Sequence, residues 1–290
     1  MQKGPVTPKG FRDIDPEPAK KRREIISKLA NVLESYDFVP LETPTIEFAE
    51  TLTGKYGEEE KLIYQFEDRG GRKVALRYDL TVPLARYVAN NLGVLNPTFA
   101  RYQVGQIFRG ENPQKGRYRE STQFDFDIVG VKSPEIDAQI VAAAIEGYRK
   151  IGFDKAMLMI NDRANFGKLS PEDIRTIDKI YKVGKENTPK NLLEFVEKTK
   201  PTENLLEIFG LLKTKYSLEE GRDFLFDPTL ARGHDYYTGI IFEMKPTGKP
   251  EEQSIGGGGR YDNLIGMFAG RPIPAVGFSF GIDRIIDLLL

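Results

Sequence analysis

Apolar and polar positions along this 290-residue chain follow two periods, and the switches between them mark its elements. Asp15-Pro16 supplies a cap and a first-turn proline, after which Ile25, Ile26, Leu29, Leu33 and Tyr36 recur at helical spacing, so a helix is expected over about 16–36. Short strands are expected at 38–41 and 74–80, followed by a helix from Thr81 to Asn91. The clearest pattern lies between 97 and 130, where two strand-like segments flank the polar stretch 110–120, the signature of a long-looped antiparallel hairpin. In its second strand Phe124, Phe126 and Ile128 alternate with Gln123, Asp125 and Asp127. Period-2 geometry therefore gives the sheet an apolar back and a hydrogen-bonding front.

Ser133-Pro134 opens another helix, with Ile136, Ile140, Ala144, Tyr148 and Ile151 on one side, and 156–160 reads as a strand. From 162 to 222 the signals are helical, with capping-box patterns at Ser170-Pro-Glu-Asp173 and Ser217-Leu-Glu-Glu220. Strands resume at 224–227, 240–245 and 275–280, and Gly256 to Gly259, between the last two, reads as a tight strand entry that lets backbone approach a substrate closely. The pattern predicts an α+β fold: a mostly antiparallel sheet flanked by helices, with a core at 1–161 and 223–290 and a helical insertion at 162–222. The last segment starts as a helix and stops at Leu288-Leu-Leu290 without a C-cap, which reads as a domain boundary or as the loss of a C-terminal domain.

Composition narrows the chemistry. There is no cysteine and only one histidine, His234, so disulfides, thiol nucleophiles and thiolate zinc sites are excluded, and a Ser-His-Asp triad nearly so. Hard cations held by carboxylates and phosphates remain, which points to Mg2+. Lys plus Arg (42) nearly balances Asp plus Glu (43), so any contact with RNA rests on local patches such as Lys20 to Arg23 or Lys115, Arg117 and Arg119. No apolar run is long enough to span a bilayer and the first residues hold no signal-peptide core, so the chain reads as cytoplasmic, with no membrane partner. Neither a phosphate-binding Gly-x-x-x-x-Gly-Lys loop nor a dinucleotide fingerprint occurs. Nucleotide chemistry here must use arginines and a sheet surface.

Five ordered segments carry a resemblance to a known family. Gly10-Phe-Arg-Asp13 with the first helix and Glu42-Thr-Pro44 is similar to motif 1 of the class II aminoacyl-tRNA synthetases, the dimer-forming element. The stretch from Phe108-Arg-Gly-Glu111 to Gln123-Phe-Asp-Phe-Asp127 resembles motif 2, and Val276-Gly-Phe-Ser-Phe-Gly-Ile-Asp-Arg284 resembles motif 3. Between them, Leu230-Ala-Arg-Gly-His-Asp-Tyr-Tyr-Thr-Gly239 and Gly258-Gly-Arg-Tyr-Asp262 look like the two signatures peculiar to histidyl-tRNA synthetases.

The resemblance implies ATP-dependent activation of histidine to histidyl-adenylate, with Mg2+ on ATP, and transfer to the acceptor stem of histidine tRNA, in a homodimer. It implies that Arg109 holds the α-phosphate and the histidine carboxylate, Arg117 the γ-phosphate and Arg284 the triphosphate from the other side, with Arg232 the family's extra catalytic arginine. It further implies that Asp79, Thr81 and Gln123 receive the α-amino group, while Asp127, Tyr236, Tyr237 and Tyr261 line the imidazole pocket. The physics agrees, because a carboxylate attacking a phosphate brings two anions together, and arginine offers a permanent, planar, bidentate positive charge. This sequence departs from the family at His234, usually leucine, at Ser121, usually aromatic, at Asn263, usually glycine, and at Asp79 and Asp127, where many relatives carry glutamate. The alternative is the regulatory subunit of ATP phosphoribosyltransferase, which shares the fold; survival of Arg109, Arg117, Arg232 and Arg284 argues against it.

Overall fold

A computed structural model describes residues 5–113, 116–231 and 236–290. Helix α1 (Pro16–Glu34) starts on the expected proline and buries Ile25, Leu29, Val32 and Leu33, each contributing about 1.5 to 3 kcal/mol by leaving water. After it come β1 (Val39–Pro40), β2 (Ile46–Phe48), α2 (Ala49–Leu52), β3 (Gln65–Glu67), β4 (Lys73–Leu76) and α3 (Thr81–Asn91). The hairpin follows as β5 (Phe99–Phe108) and β6 (Glu120–Val129), then α4 (Pro134–Lys150), whose Ser133 hydroxyl accepts the Ile136 amide at 3.3 Å, and β7 (Met157–Asp162).

The stretch from 162 to 222 holds α5 (Pro171–Asp178), α6 (Ile180–Val183), α7 (Lys190–Lys198) and α8 (Glu203–Tyr216). Ser170 caps α5 as its pattern implies, accepting the Asp173 amide at 3.1 Å. Ser217 does the opposite of what its pattern implies: it closes α8 in a left-handed conformation, φ 54°, and the Leu218 amide turns back to the Leu212 carbonyl at 3.0 Å. The acidic pair after it imitated a helix start. The chain ends through β8 (Phe224–Phe226), β9 (Ile240–Lys245), β10 (Gly256–Arg260), α9 (Gly266–Ala269), β11 (Ala275–Gly281) and α10 (Ile282–Leu289).

Among the described residues these strands build an eight-stranded sheet in the order β1-β5-β6-β11-β10-β9-β7-β8, and a small one in the order β2-β4-β3. The large sheet is antiparallel except at its two edges, where β1 pairs with β5 and β7 with β8 in parallel. The expected architecture, a mostly antiparallel sheet flanked by helices, is therefore what the chain adopts. The glycines at 256–259 form a strand in their own right, hydrogen-bonded to β9 on one side and β11 on the other.

The back face is closed. Phe124, Phe126, Phe278 and Phe280 pack with Ile25 and Leu29 of α1, Ile140 and Ala144 of α4, and Ile285 of α10, while Leu205, Ile208 and Leu212 of α8 join the same core. The front face is closed only at its two ends. Near β5 it meets a cluster around Leu52, Val82, Leu84 and Tyr261, and near β7 and β9 it meets Phe166, Ile177 and Leu192. Between these two clusters lies the polar middle of β6, β11 and β10.

Candidate active site

Strand register decides which side chains share that polar middle. Across the hairpin Arg101 stands opposite Asp127 and Gln103 opposite Asp125; on the far side of β6, Gly277 stands opposite Asp127 and Ser279 opposite Asp125. Gly277 and Gly259 are paired in the next ladder, and both are required to lack side chains. A Cβ on Gly277 would come within 1.9 Å of Asp127 Oδ1, and one on Gly259 within 2.7 Å of the Ile240 carbonyl. The result is a narrow cavity of about 20 Å3 floored by backbone and walled by Thr81, Asp125, Asp127, Tyr237, Tyr261 and Ser279.

The wall is rich in carboxylates. Asp79 precedes α3 and its Oδ1 accepts the amides of Thr81 and Val82 at 3.1 and 2.9 Å, as an acid at a helix start does. The same oxygen takes the Tyr56 hydroxyl at 3.0 Å, and Oδ2 takes the Tyr236 hydroxyl at 3.4 Å. Asp127 Oδ1 accepts the Tyr261 hydroxyl, and its Oδ2 lies 2.6 Å from the Arg101 guanidinium. Tyr236 rests edge-on against Tyr237 and Tyr261, with ring centroids 5.1 and 5.9 Å apart. Burial raises the pKa of Asp79, Asp125 and Asp127 against the opposing pull of Arg101 or Arg109, and Asp125 is pushed up to about 7. The Gln123 Oε1 on the same face is buried with no hydrogen-bond partner among the described residues.

At the mouth the sign of the charge reverses. Arg109, just past β5, lies over the Tyr78 ring at 4.5 Å and donates to the Tyr78 carbonyl at 3.1 Å. Burial works against its charge, but Tyr78, Asp79, Glu111 and Glu59 outweigh that and raise its pKa. Arg117 is more open and pairs with Glu111 at 3.3 Å. Arg284 on α10 donates to the Ser254 carbonyl at 2.7 Å and the Gly116 carbonyl at 3.3 Å. Its pKa is lowered, first by burial and then by repulsion from Arg117 and Arg109. Arg284 thus lies within repulsive reach of two further guanidinium groups, an arrangement that favours binding of an anion.

Ten of the eleven residues singled out in the sequence are thus brought to one sheet face or its rim: Asp79, Thr81, Gln123, Asp127, Tyr236, Tyr237, Tyr261, Arg109, Arg117 and Arg284. The eleventh, Arg232, lies outside the described residues, as do His234 and Lys115. Sequence reasoning missed Arg101, which is fully buried, and gave Asp125 no role. Their signal was the hairpin register, which sets both on the polar face.

Comparison with known proteins decides the family. A family model described as histidyl-tRNA synthetase matches residues 10–169 and 154–285 of the chain. The chain belongs to the histidyl-tRNA synthetase family. It is 42% identical to a histidine–tRNA ligase of Aeropyrum pernix and 41% identical to one of Nanoarchaeum equitans, in each case over 98% of this chain and 74% of the relative. Among solved structures, the histidyl-tRNA synthetase from Nostoc sp. PCC 7120 superposes with a TM-score of 0.81 at 29% identity, covering 99% of this chain and 76% of that one. A Bacillus halodurans structure described as an ATP phosphoribosyltransferase regulatory subunit/histidyl-tRNA synthetase reaches a TM-score of 0.82 at 22% identity, a likeness of fold alone.

Proposed function

We infer that this chain activates histidine with ATP to histidyl-adenylate and transfers the histidyl group to histidine tRNA. One observation carries the reading beyond family membership: a single site holds a carboxyl-lined interior, around Asp79, Asp125 and Asp127, and a cationic rim of Arg109, Arg117 and Arg284. An amino acid placed across that boundary puts its cationic and N–H groups inside and its carboxylate at the arginines, where a nucleotide triphosphate also binds. A carboxylate oxygen of histidine then forms a bond to the α-phosphorus, the bond to the bridging oxygen breaks, and pyrophosphate leaves with that electron pair.

The residue roles follow the charge pattern. Arg109 steers the histidine carboxylate and α-phosphate together, Arg117 and Arg284 hold the outer phosphates, and Arg232 adds positive charge at the α-phosphate. Asp79, Thr81 and Gln123 face the α-amino group, while Asp127, Tyr236, Tyr237 and Tyr261 line the imidazole pocket. Among the described residues no cluster of three or more metal-ligating side chains is present. Mg2+ suits such a site, since it binds through phosphates and one or two carboxylates, and Glu111 and Glu243 are the acids whose charge reaches Arg284. When bound, Mg2+ supplies neutralisation of phosphate charge.

The wider reading places the catalytic core at 1–161 and 223–290 with a helical insertion at 162–222, in a cytoplasmic homodimer. Two plant relatives, from Oryza sativa and Arabidopsis thaliana, are histidine–tRNA ligases described as cytoplasmic, and no helix among the described residues is long and apolar enough to cross a membrane. Exposed Val39, Ile46, Phe48 and Phe66 offer apolar surface near the motif 1-like segment for a second copy. The acceptor stem would meet the loop that carries Arg117 and Arg119. Histidine-dependent exchange of labelled pyrophosphate into ATP tests the activity: exchange with histidine and not with other amino acids is expected, and its absence overturns the reading.

A further inference from the structure

Asp125 and Asp127 project from the same face of β6 into the same cavity, but the protein uses them differently. Asp127 Oδ1 accepts the Tyr261 hydroxyl, and its Oδ2, which has no hydrogen-bond partner among the described residues, is held in an ion pair with Arg101 at 2.6 Å. Arg101 is itself 0% exposed, and its charge has Asp127 as its ion-pair partner. Asp125 is 4% exposed and touches the Ser279 side chain, yet its Oδ1 has no hydrogen-bond partner among the described residues. A buried carboxylate oxygen without a donor is costly and rare, and such an atom in a cavity wall marks the place where a donor arrives from outside.

Position along the strand says which donor. Gln123 stands opposite Gly281, three residues before Arg284, and so lies at the phosphate-binding end; Asp127 stands opposite Gly277, at the inner end. Asp125 is between them, opposite Ser279. An amino acid that presents its carboxylate to Arg109, at the end of the face where Arg284 holds the triphosphate, therefore lays its side chain across Asp125 before reaching Asp127. The other charged and titratable groups facing Asp125 are Arg101 from β5, Arg77 just past β4, Asp127 from its own strand, Asp79 ahead of α3, and Tyr237.

We propose that Asp125 is the specificity-determining carboxylate that accepts an imidazole N–H of histidine, and that Asp127, clamped by Arg101 and Tyr261, is the positioning anchor behind it. This deepens the assignment of histidine activation and rests on it. A ring without an N–H leaves Asp125 buried and unpaired, which is the strongest basis for rejecting a substrate of equal shape.

The test uses the full chain and the isosteric variant Asp125→Asn, in pyrophosphate exchange with histidine and with β-thienylalanine, a ring analogue that lacks N–H groups. The histidine KM should rise by about 10- to 100-fold, with the ATP KM unchanged, and the preference for histidine over the thienyl analogue should shrink by a similar factor. ATP binding by calorimetry reports an intact fold; if Asp125→Asn loses it, Asp125→Ser is read in the same way. Asp127→Asn should lower the melting temperature more than Asp125→Asn does, because it undoes the Arg101 clamp. An active wild-type chain whose Asp125→Asn variant keeps its histidine KM and its discrimination, while Asp127→Asn loses both, overturns the proposal and leaves the activity standing. A wild-type chain without histidine-dependent exchange would remove the activity itself.

Discussion

The Asp283 carboxylate accepts the backbone amide of Thr122 at 2.6 Å, so the first turn of α10 is tied directly to the strand that carries the substrate-facing side chains. The same carboxylate pairs with Arg12 at 2.6 Å and with Arg22 of α1, and Arg12 covers the Tyr118 ring at 3.7 Å. One acid thereby gathers the N-terminal segment, α1, β6 and α10.

Asp283→Asn should accordingly destabilise the chain by roughly 2 to 3 kcal/mol, since it weakens charge-assisted bonds to a buried acceptor. Urea unfolding checks this. A midpoint unchanged from wild type would mean the arginines find equivalent partners elsewhere.

Arg284 sits close to two like charges, and that arrangement serves an anion at the expense of the empty fold. Pyrophosphate at millimolar concentration should raise the melting temperature of the wild-type chain, because a ligand that binds only the native state stabilises it. Arg284→Gln should lose most of that response and about 100-fold in exchange rate, with its own melting temperature equal to or above wild type. Thermal scans with and without pyrophosphate read both effects, and a pyrophosphate response untouched by the substitution would place the triphosphate elsewhere.

Asp125 gives stability an unusual pH dependence. Its folded pKa is about 7 and its unfolded pKa about 4, so between these values the native state holds a proton that the unfolded state has released. Stability therefore falls as pH rises from about 4 to 7, by an amount on the order of 2 to 4 kcal/mol from this group, and levels off above. Asp137, raised to about 6 by burial against the pull of Arg260, adds a smaller total of the same sign over a narrower range. Denaturation of wild type and Asp125→Asn at pH 5 and pH 8 should show a smaller difference in the variant; identical slopes would remove Asp125 as their source.

Ser217 holds a left-handed conformation that costs a non-glycine residue free energy. Ser217→Gly should stabilise the chain by about 0.5 to 1 kcal/mol while leaving pyrophosphate exchange untouched, as the position closes α8 on the far side of the sheet from the site. A lower melting temperature would show that the Ser217 side chain contributes something its backbone position does not reveal.

These features differ in how openly the chain announces them. The hairpin was legible because Phe124, Phe126 and Ile128 alternate with polar residues over six positions, and alternation that regular has no competing helical reading. Helices opened by Pro16, Pro134 and Pro171 were legible because the proline leaves no other start. Arg101 was not, because a residue becomes the partner of Asp127 only once the register of a pairing across the 109–119 loop is known. Ser217 misled because capping chemistry and αL closure draw on the same small polar residues. The glycines of β10 carry no side-chain alternation at all, so only their two neighbours reveal a strand there. For the site, the rim arginines and most of the wall followed from motif order, whereas the division of labour between Asp125 and Asp127 depends on distances.

That glycine strand also implies an order of events in folding. Four of the five residues in β10 have the weakest intrinsic preference for extended structure, and nothing projects from them to recruit a neighbour early. Such a segment pairs only when β9 and β11 already stand on either side of it, each supplying a ready ladder. The floor of the cavity should then be the last seam of the sheet to close and the first to part, which amide exchange faster at 256–260 than in β9 and β11 would show. A chain folded up to that point would have secondary structure and an apolar core but no pocket, so histidine and nucleotide should slow its departure from the native state rather than hasten arrival there.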